Sequence, residues 1–578
     1  MFDLRSVNTT IFMVFAFIVC LCIFSRNSLH IPYGDGVEYV MMTESLYNHQ
    51  SPELRNEDAS EYINYLEKRG FQIHKIDAFR LATKLGEDGV WLPGYYKSKV
   101  NGNWYSYHFW MYSVVCVPAR FILEHLEGDI RATGLMTNLF LIFWGMWLIL
   151  RLKQFTQGQR IILALFLAVS PTLFYIDWIH SEVFSAVLVF MAVVYYSVQR
   201  KYLSLFLFSL AATQNPTLAI PALFIFIEIL YKNGIKWKVL LLLFVSSFWI
   251  VLPALFYKHY FGVTSLISNT GLLQWDVVSF RRLWSFFFDL NQGIILGIPL
   301  LLFLLIGFLI YDLIKWRAFK PYLFLVSILV MSLFFMQMTV WNDGNSVIKR
   351  YAVWCIPIII VVFFLRTLKL KRHWFYILGV LVISTQVVAI ASQQSFYKPY
   401  WHGSFFNKLG RYALSNYPDY YNPEPVIFKF RLKQFELSTT DSVFVYTDEE
   451  RIIQKMLIKE GSISQLELRG LSKDAVQKLD DELNYRNGYA YVNRSDLIKY
   501  GYSQEKDTLI QFIEKNKKNK YVERVKESIR SNKGRLDRIK NSSVKENITL
   551  DSALNKSALY IYELELDRFE KYKMFDQN

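Results

Sequence analysis

The sequence predicts a polytopic α-helical membrane protein with about eleven transmembrane helices, interfacial helices in the first outer loop, and a small C-terminal α/β soluble domain. Three observations predict it. The 578 residues are 53% hydrophobic, with 47 Phe, 37 Tyr and 15 Trp. Before residue 392 the apolar residues gather into runs of roughly 18–22, the length that spans a hydrocarbon core as a helix. Short Lys/Arg-rich loops separate those runs, which marks cytoplasmic loops. After residue 392 the pattern becomes ordinary and polar.

The net charge of +15 does not indicate nucleic acid. Residues 393–578 hold 32 Lys+Arg against 27 Asp+Glu, and the preceding residues hold 32 against 22, mostly in short loops. That is the distribution of positive-inside topology, not of a nucleic-acid groove. The four cysteines, Cys20, Cys22, Cys116 and Cys355, all lie in apolar segments without metal-ligand spacing. The first apolar run, 11–24, lacks a small-residue cleavage site and reads as a retained helix.

The basic stretches 151–160, 200–201, 232–238, 315–320 and 366–372 are placed inside, and the helices follow. The N-terminus is cytoplasmic and the helix 9–27 runs outward. Residues 28–130 form a long outer loop. Helices are expected at 133–151, 160–177, 182–199, 201–213, 217–231, 238–257, 292–313, 320–340, 350–365 and 373–391. The segment 110–123 is apolar enough for a helix. If it spanned, the basic loop at 151–160 would move outside. It is therefore read as interfacial, with Trp104, Tyr105, Tyr107, Phe109, Trp110 and Tyr112 at headgroup level. Residues 1–392 form the membrane domain, 393–430 a surface linker, and 431–578 an extracytoplasmic α/β domain. In that domain 441–446 reads as a strand, followed by a helix through Ile458. A second strand is expected near 489–493 and a helix over 508–539.

Three polar clusters abut apolar runs, and the topology puts all of them at the outer face. Ionisable groups in such places are costly to dehydrate and are usually kept for function. The first is Gly34-Asp35-Gly36-Val37-Glu38. Its plain reading is a turn and a capped helix start. On a helix, Asp35 and Glu38 share one face. The second holds Asp177, His180 and Glu182, which read plainly as a solvated turn with Ser181 as N-cap. Zinc is not assigned there, because no close second His or Cys is visible. Mg or Mn bound by carboxylate oxygens stays open. The third runs from Trp341 and Asp343 to Lys349 and Arg350. Its cations either anchor the helix at the interface or bind a phosphate, for which Arg offers a planar fork. Lys97, Lys99, Arg281 and Arg282 are weaker candidates for the same task.

In this order and sidedness, the clusters resemble the GT-C class of integral-membrane glycosyltransferases, which includes protein O-mannosyltransferases and lipid A aminoarabinose transferases. Gly34-Asp35-Gly36-Val37-Glu38-Tyr39 resembles the acidic motif after the first helix, with Asp35 at the catalytic position. Asp177 or Glu182 matches the second acid. Trp341-Asn-Asp-Gly to Arg350, with Pro357 downstream, resembles the Trp/Gly stretch followed by Arg. Asp289-Leu-Asn-Gln-Gly293 resembles a turn of that class but lacks its Arg, and Tyr421-Asn-Pro-Glu-Pro425 resembles a post-membrane segment. The resemblance covers residues 9–425.

It implies an inverting transfer of a sugar from a polyprenyl-phosphate donor to a glycan, lipid or protein acceptor at the outer face. Asp35 is the implied general base, with Glu38, Asp177 and Glu182 around it. His180, Arg350, Lys349, Trp341, Asp343, Lys97 and Arg281 are the implied substrate contacts. The competing reading is a transporter or lipid flippase, for which internal repeats and interrupted helices near the midplane are expected. No clear repeat is present, and the charged clusters lie at one face instead.

Overall fold

The computed structural model describes residues 4–27, 34–71, 94–341, 347–393, 406–433, 443–447, 453–502 except 470 and 487, and positions between 522 and 559. The chain packs as two compact units. One comprises residues 1–86, 92–339 and 346–399; the other comprises 87–91, 340–345 and 400–578.

The first unit is almost entirely helical. Its helices are α1 (Leu4–Asn27), α2 (Gly36–His49), α3 (Asn56–Lys68), α4 (Met111–His125), α5 (Thr133–Leu150), α6 (Gln157–Ala168), α7 (Glu182–Ser197), α8 (Lys201–Ala212), α9 (Ala219–Asn233), α10 (Trp237–Ser247), α11 (Leu252–Phe261), α12 (Phe280–Phe288), α13 (Pro299–Ile314), α14 (Tyr322–Phe335), α15 (Ala352–Thr367) and α16 (Arg372–Gln393). Among the described residues four segments are long and apolar enough to cross a membrane: Ile130–Leu150, Gln157–Tyr175, Pro216–Asn233 and Arg372–Ser392. A fifth arises if α10 and α11, bent by 54° across a short break, form one span. The other apolar helices, including α7, α8, α13, α14 and α15, are 10–17 residues long.

Two of those short helices form the centre. α7 is buried along Glu182–Tyr196, and α15 is buried over nearly its whole length. Each is apolar all round, as a helix surrounded by others must be. α7 packs against α8 and α15. The outer helices instead turn large apolar side chains outward, such as Ile11, Phe244, Phe303, Leu313 and Val388. Outward-facing apolar surface on this scale suits lipid better than water.

Two buried ion pairs tie helices together inside the unit. Arg120 on α4 grips Glu44 on α2 with two bonds, Nε–Oε1 at 2.7 Å and Nη2–Oε2 at 2.9 Å. Arg366 on α15 holds Asp312 on α13 the same way, at 2.6 and 2.9 Å. Removing one partner of a buried pair leaves an uncompensated charge. Arg120→Ala is therefore expected to cost about 3–5 kcal/mol of stability, measured as loss of thermal stability of the full-length protein in detergent. A loss no larger than that of an exposed Lys→Ala variant would show the pair to be solvated.

The expected outer loop is largely structured. α2 and α3 are followed by a two-stranded antiparallel hairpin, β1 (Tyr95–Lys97) and β2 (Trp104–Ser106), in which Tyr95 pairs with Ser106. The segment read as an interfacial helix is α4.

In the second unit, α17 (Lys408–Asn416) and α18 (Pro425–Lys433) precede a three-stranded antiparallel sheet of β3 (Val443–Thr447), β4 (Ile453–Lys459) and β5 (Tyr489–Asn493), in the order β3-β4-β5. α19 (Lys473–Glu482) and α20 (Arg494–Lys499) complete it. Residues Ile453–Ile458, expected in a helix, form the central strand instead. Met456 and Ile458 face one apolar cluster, with Val476, Leu479 and Val492. Leu457 faces another, with Phe406, Leu414, Phe428 and Phe444. That alternation is what a strand buried on both sides requires. The second cluster also draws Phe406, Leu414 and Phe428, from the expected linker, onto the sheet. The helix expected over 508–539 falls largely outside the described residues. Its described positions Val522, Val525 and Ile529 pack with Leu554 and Ala558.

Candidate functional site

Asp35 occupies the N-cap position of α2 but makes no capping bond with its side chain. The plain reading of a capped helix start therefore fails. The carboxylate faces Arg350, 315 residues away in sequence, whose Nη1 donates to Oδ2 at 2.6 Å. Asp35 Oδ2 also lies 3.5 Å from His180 Nε2 and 3.8 Å from His108 Nε2, and Oδ1 accepts from the Tyr107 hydroxyl at 3.4 Å. The Asp35 side chain is 24% exposed, so the cluster is open on one side.

Three elements bring these groups together. The first is α2. Glu38 follows Asp35 by one turn and is buried, as is Tyr39. The second is the hairpin. Ser106 Oγ donates to Glu38 Oε2 at 2.7 Å, and His108 Nδ1 lies 3.0 Å from the same oxygen. Gly94 permits this approach. Its φ is +104°, and a Cβ there would overlap the Glu38 carboxylate and the Tyr107 ring. Gly94→Ala is expected to lower stability by about 1–3 kcal/mol through strain and overpacking. Thermal unfolding followed by tryptophan fluorescence checks this, and an unchanged midpoint counts against the packing.

The third element is the turn before α7. Trp178, Ile179, His180, Ser181 and Glu182 are all buried, so the expectation of a solvated turn is overturned. Asn138 on α5 fixes the turn by donating from Nδ2 to the carbonyls of Ile176 and Trp178, both at 3.0 Å. Gly134, one helical turn earlier, lets α5 touch Ile179: a Cβ there would lie 2.7 Å from the Ile179 Cα. The His180 ring stacks on Trp178, with centroids 4.0 Å apart and planes at 15°. Its Nδ1 lies 3.2 Å from Glu182 Oε1, and Glu182 Oε1 lies 3.6 Å from Arg350 Nε. Ser181 does not cap α7; the Tyr39 hydroxyl reaches its Oγ at 3.3 Å.

Arg350 is braced from behind. Tyr175 donates its hydroxyl to the Ile348 carbonyl at 2.8 Å, and the Lys349 amide donates to the Gln292 carbonyl at 2.8 Å. Asp289 Oδ1 accepts from the Asn291 and Gln292 amides, shaping the turn that receives Lys349. Lys349 itself is fully buried.

The electrostatics follow from this crowding. Burial alone would raise the Asp35 carboxyl, but the His180 contact and the charges of His108 and Arg350 outweigh it and hold it well below the usual range. Burial keeps Glu38 above its ordinary value, with His108 opposing. Burial opposes the charged form of His108, yet Glu38 and Asp35 raise its value overall.

The structure thus unites Asp35, Glu38, His180, Glu182 and Arg350. Asp177 lies in the same turn before α7, half-buried. Lys97 is placed on β1, its ammonium 6.0 Å from the Trp104 ring centre. Arg281 sits on α12, where its neighbour Arg282 donates to the carbonyls of Met336 and Met338, both at 2.7 Å, as a helix brace. Trp341 is buried and belongs to the second unit, while Asp343 lies outside the described residues. Sequence reasoning missed Tyr107 and His108. The available signal was Asn101-Gly102 between two aromatic runs, which marks a hairpin returning toward α2.

The donor set bears on the metals considered from sequence. Asp35, His108 and His180 each present one ligand atom, all within 4.8 Å of one another. Two imidazoles and one carboxylate do not suit Mg, which takes oxygen ligands. The absence of a second histidine, which counted against zinc, is corrected by His108.

No known protein family, curated protein or solved structure matches this chain.

Proposed function

We propose that this protein is an inverting glycosyltransferase that takes its sugar from a polyprenyl-phosphate donor at the outer membrane face. The observation that carries the reading is the contact between Asp35 and Arg350. A carboxylate and a guanidinium in one partly open cluster are the two groups such a transfer needs. The acceptor O–H attacks the anomeric carbon, and its proton passes to Asp35 as general base. The bond from that carbon to the phosphate oxygen breaks, and its electron pair leaves with the lipid phosphate. Arg350 stabilises the departing phosphate with its fork. One displacement inverts the anomeric centre. Glu182 and Glu38 orient the two histidines and Arg350 around the base. The acceptor is a glycan, a lipid or a protein.

The reading includes the finer topology. Glu182 opens α7 and Arg350 lies two residues before α15, so both stand at the same end of the central helices. The other ends lead to Arg200-Lys201 and to Arg366–Arg372, the basic stretches that the charge rule assigns to the cytoplasm. Short helices such as α7 and α15 then cross as buried members of an eleven-span bundle, shielded from lipid by their neighbours.

The test reconstitutes the full chain in liposomes with polyprenyl-phosphate sugars and a cell-envelope extract as acceptor. Release of free polyprenyl phosphate is followed by mass spectrometry. Protein-dependent release supports the reading. No release from any donor of a broad panel, by protein whose fold is intact, overturns it.

A further inference from the structure

We propose that Asp35, His108 and His180 form a binding site for one first-row transition-metal dication of the Zn2+ type. The inference concerns the same cluster, but it rests on the glycosyltransferase reading only for what the ion does, not for its binding.

Convergence is the first ground. His108 Nε2 and His180 Nε2 lie 3.8 and 3.5 Å from Asp35 Oδ2. A tetrahedral ion with bonds of about 2.0–2.1 Å sets neighbouring donors roughly 3.3–3.4 Å apart. These two spacings differ from that value by only a few tenths of an ångström, and all three ligand atoms lie within 4.8 Å of one another. The three ligands come from α2, the segment after β2 and the turn before α7, elements fixed independently of one another.

The second ground is the arrangement behind the histidines. Metal-bound imidazoles usually turn their other nitrogen to a carboxylate or carbonyl, which fixes tautomer and ring orientation. Here both do. His108 Nδ1 faces buried Glu38 at 3.0 Å, and His180 Nδ1 faces buried Glu182 at 3.2 Å. The Nε2 atom of each ring lies on the side of Asp35. A pair of histidines each backed by its own carboxylate has no evident purpose in packing alone.

The third ground is His180 itself. The side chain is only 5% exposed, yet neither ring nitrogen makes a hydrogen bond of good geometry among the described residues. A buried polar group without a partner costs free energy. An ion at Nε2 supplies that partner, and the Trp178 stack already holds the ring in place. The Arg350 contact does not block the site, since an ionised carboxylate offers about four lone-pair positions.

Imidazole donors select Zn, Fe, Co or Ni over Mg or Ca. Three protein ligands also leave a coordination position open, as in catalytic rather than structural zinc sites. Such an ion supplies Lewis acidity toward a substrate oxygen bound beside Asp35.

The experiment uses purified full-length protein in detergent, stripped with a chelator and then reloaded with Zn2+, Co2+ or Mg2+. Metal per chain is read by elemental mass spectrometry, and Co2+ also by its visible absorption. About one Zn2+ or Co2+ per chain is expected, undisturbed by a large excess of Mg2+. His108→Ala and His180→Ala, on separate elements, should each weaken Zn2+ binding by at least about tenfold, and Glu38→Gln and Glu182→Gln by about 10–100-fold. Thermal unfolding identifies any variant that has merely misfolded, and the remaining variants then decide. Zn2+ retained at full affinity in both folded histidine variants, or displaced equally by Mg2+, overturns the proposal, as does failure of the folded wild type to bind. Metal is read without substrate. Failed binding with intact sugar transfer sinks only the ion; binding without transfer sinks only the transferase.

Discussion

Asp35→Asn is expected to lower the rate of sugar transfer by about 10²–10⁴-fold, the range for losing a positioned general base. The substitution keeps the size and shape of the side chain. It also keeps an oxygen to accept from Arg350, whose Nη1 now stands 2.6 Å from Oδ2. What it removes is the capacity to take the acceptor proton. Because Asp35 spends no bond on capping α2, the helix should form as before. The measurement is polyprenyl-phosphate release by wild type and variant at matched protein, with thermal unfolding alongside. Transfer within a few-fold of wild type would remove Asp35 from the chemistry. While Arg350 and the two histidines face it, the carboxyl is held well below its usual range and is a weak base.

Much of this site was legible in the sequence because the cost of burying charge is legible. Asp35, His180, Glu182 and Arg350 each abut an apolar run, and polar groups there need a reason. Sidedness alone predicts that they share one face, and the helices bring them to one end. His108 was not legible. It stands in an aromatic stretch, Trp104 to Tyr112, that reads as interface packing, and no spacing ties it to Asp35, 73 residues earlier. Only the hairpin pairing of Tyr95 with Ser106 sets it over Glu38. The turn before α7 reads as solvated because Asp, His, Ser and Glu together look wet. Asn138 and Gly134, on a different helix, are what bury it. The same limit explains β4. Ile453 to Ile458 is apolar on both faces, and a short run of that kind fits a buried strand or a helix equally. Only the two clusters on either side of the sheet decide between them.

Arg350 offers the sharpest separation of charge from geometry. Arg350→Ala is expected to reduce transfer by about 10²–10³-fold, the scale seen when one preorganised stabiliser of developing charge is lost. Arg350→Lys should recover only part of that, because a point charge replaces a planar fork. The fork matters here for a specific reason. In the resting state Nη1 reaches Asp35 while Nε faces Glu182 at 3.6 Å, so two carboxylates aim the guanidinium from two sides. Lysine has one nitrogen and cannot answer both. If the phosphate is stabilised mainly as it departs, both variants lose kcat and leave KM for the donor nearly unchanged. If Arg350 merely holds the lipid, KM rises and kcat stays. A purely structural role predicts neither split. It predicts instead that stability falls in Arg350→Ala and returns in Arg350→Lys, with activity following stability. Measuring kcat, KM and unfolding midpoint for both variants distinguishes the three. Loss of stability without a separate loss of kcat would take Arg350 out of the mechanism and leave Asp35 without the partner on which the transferase reading rests.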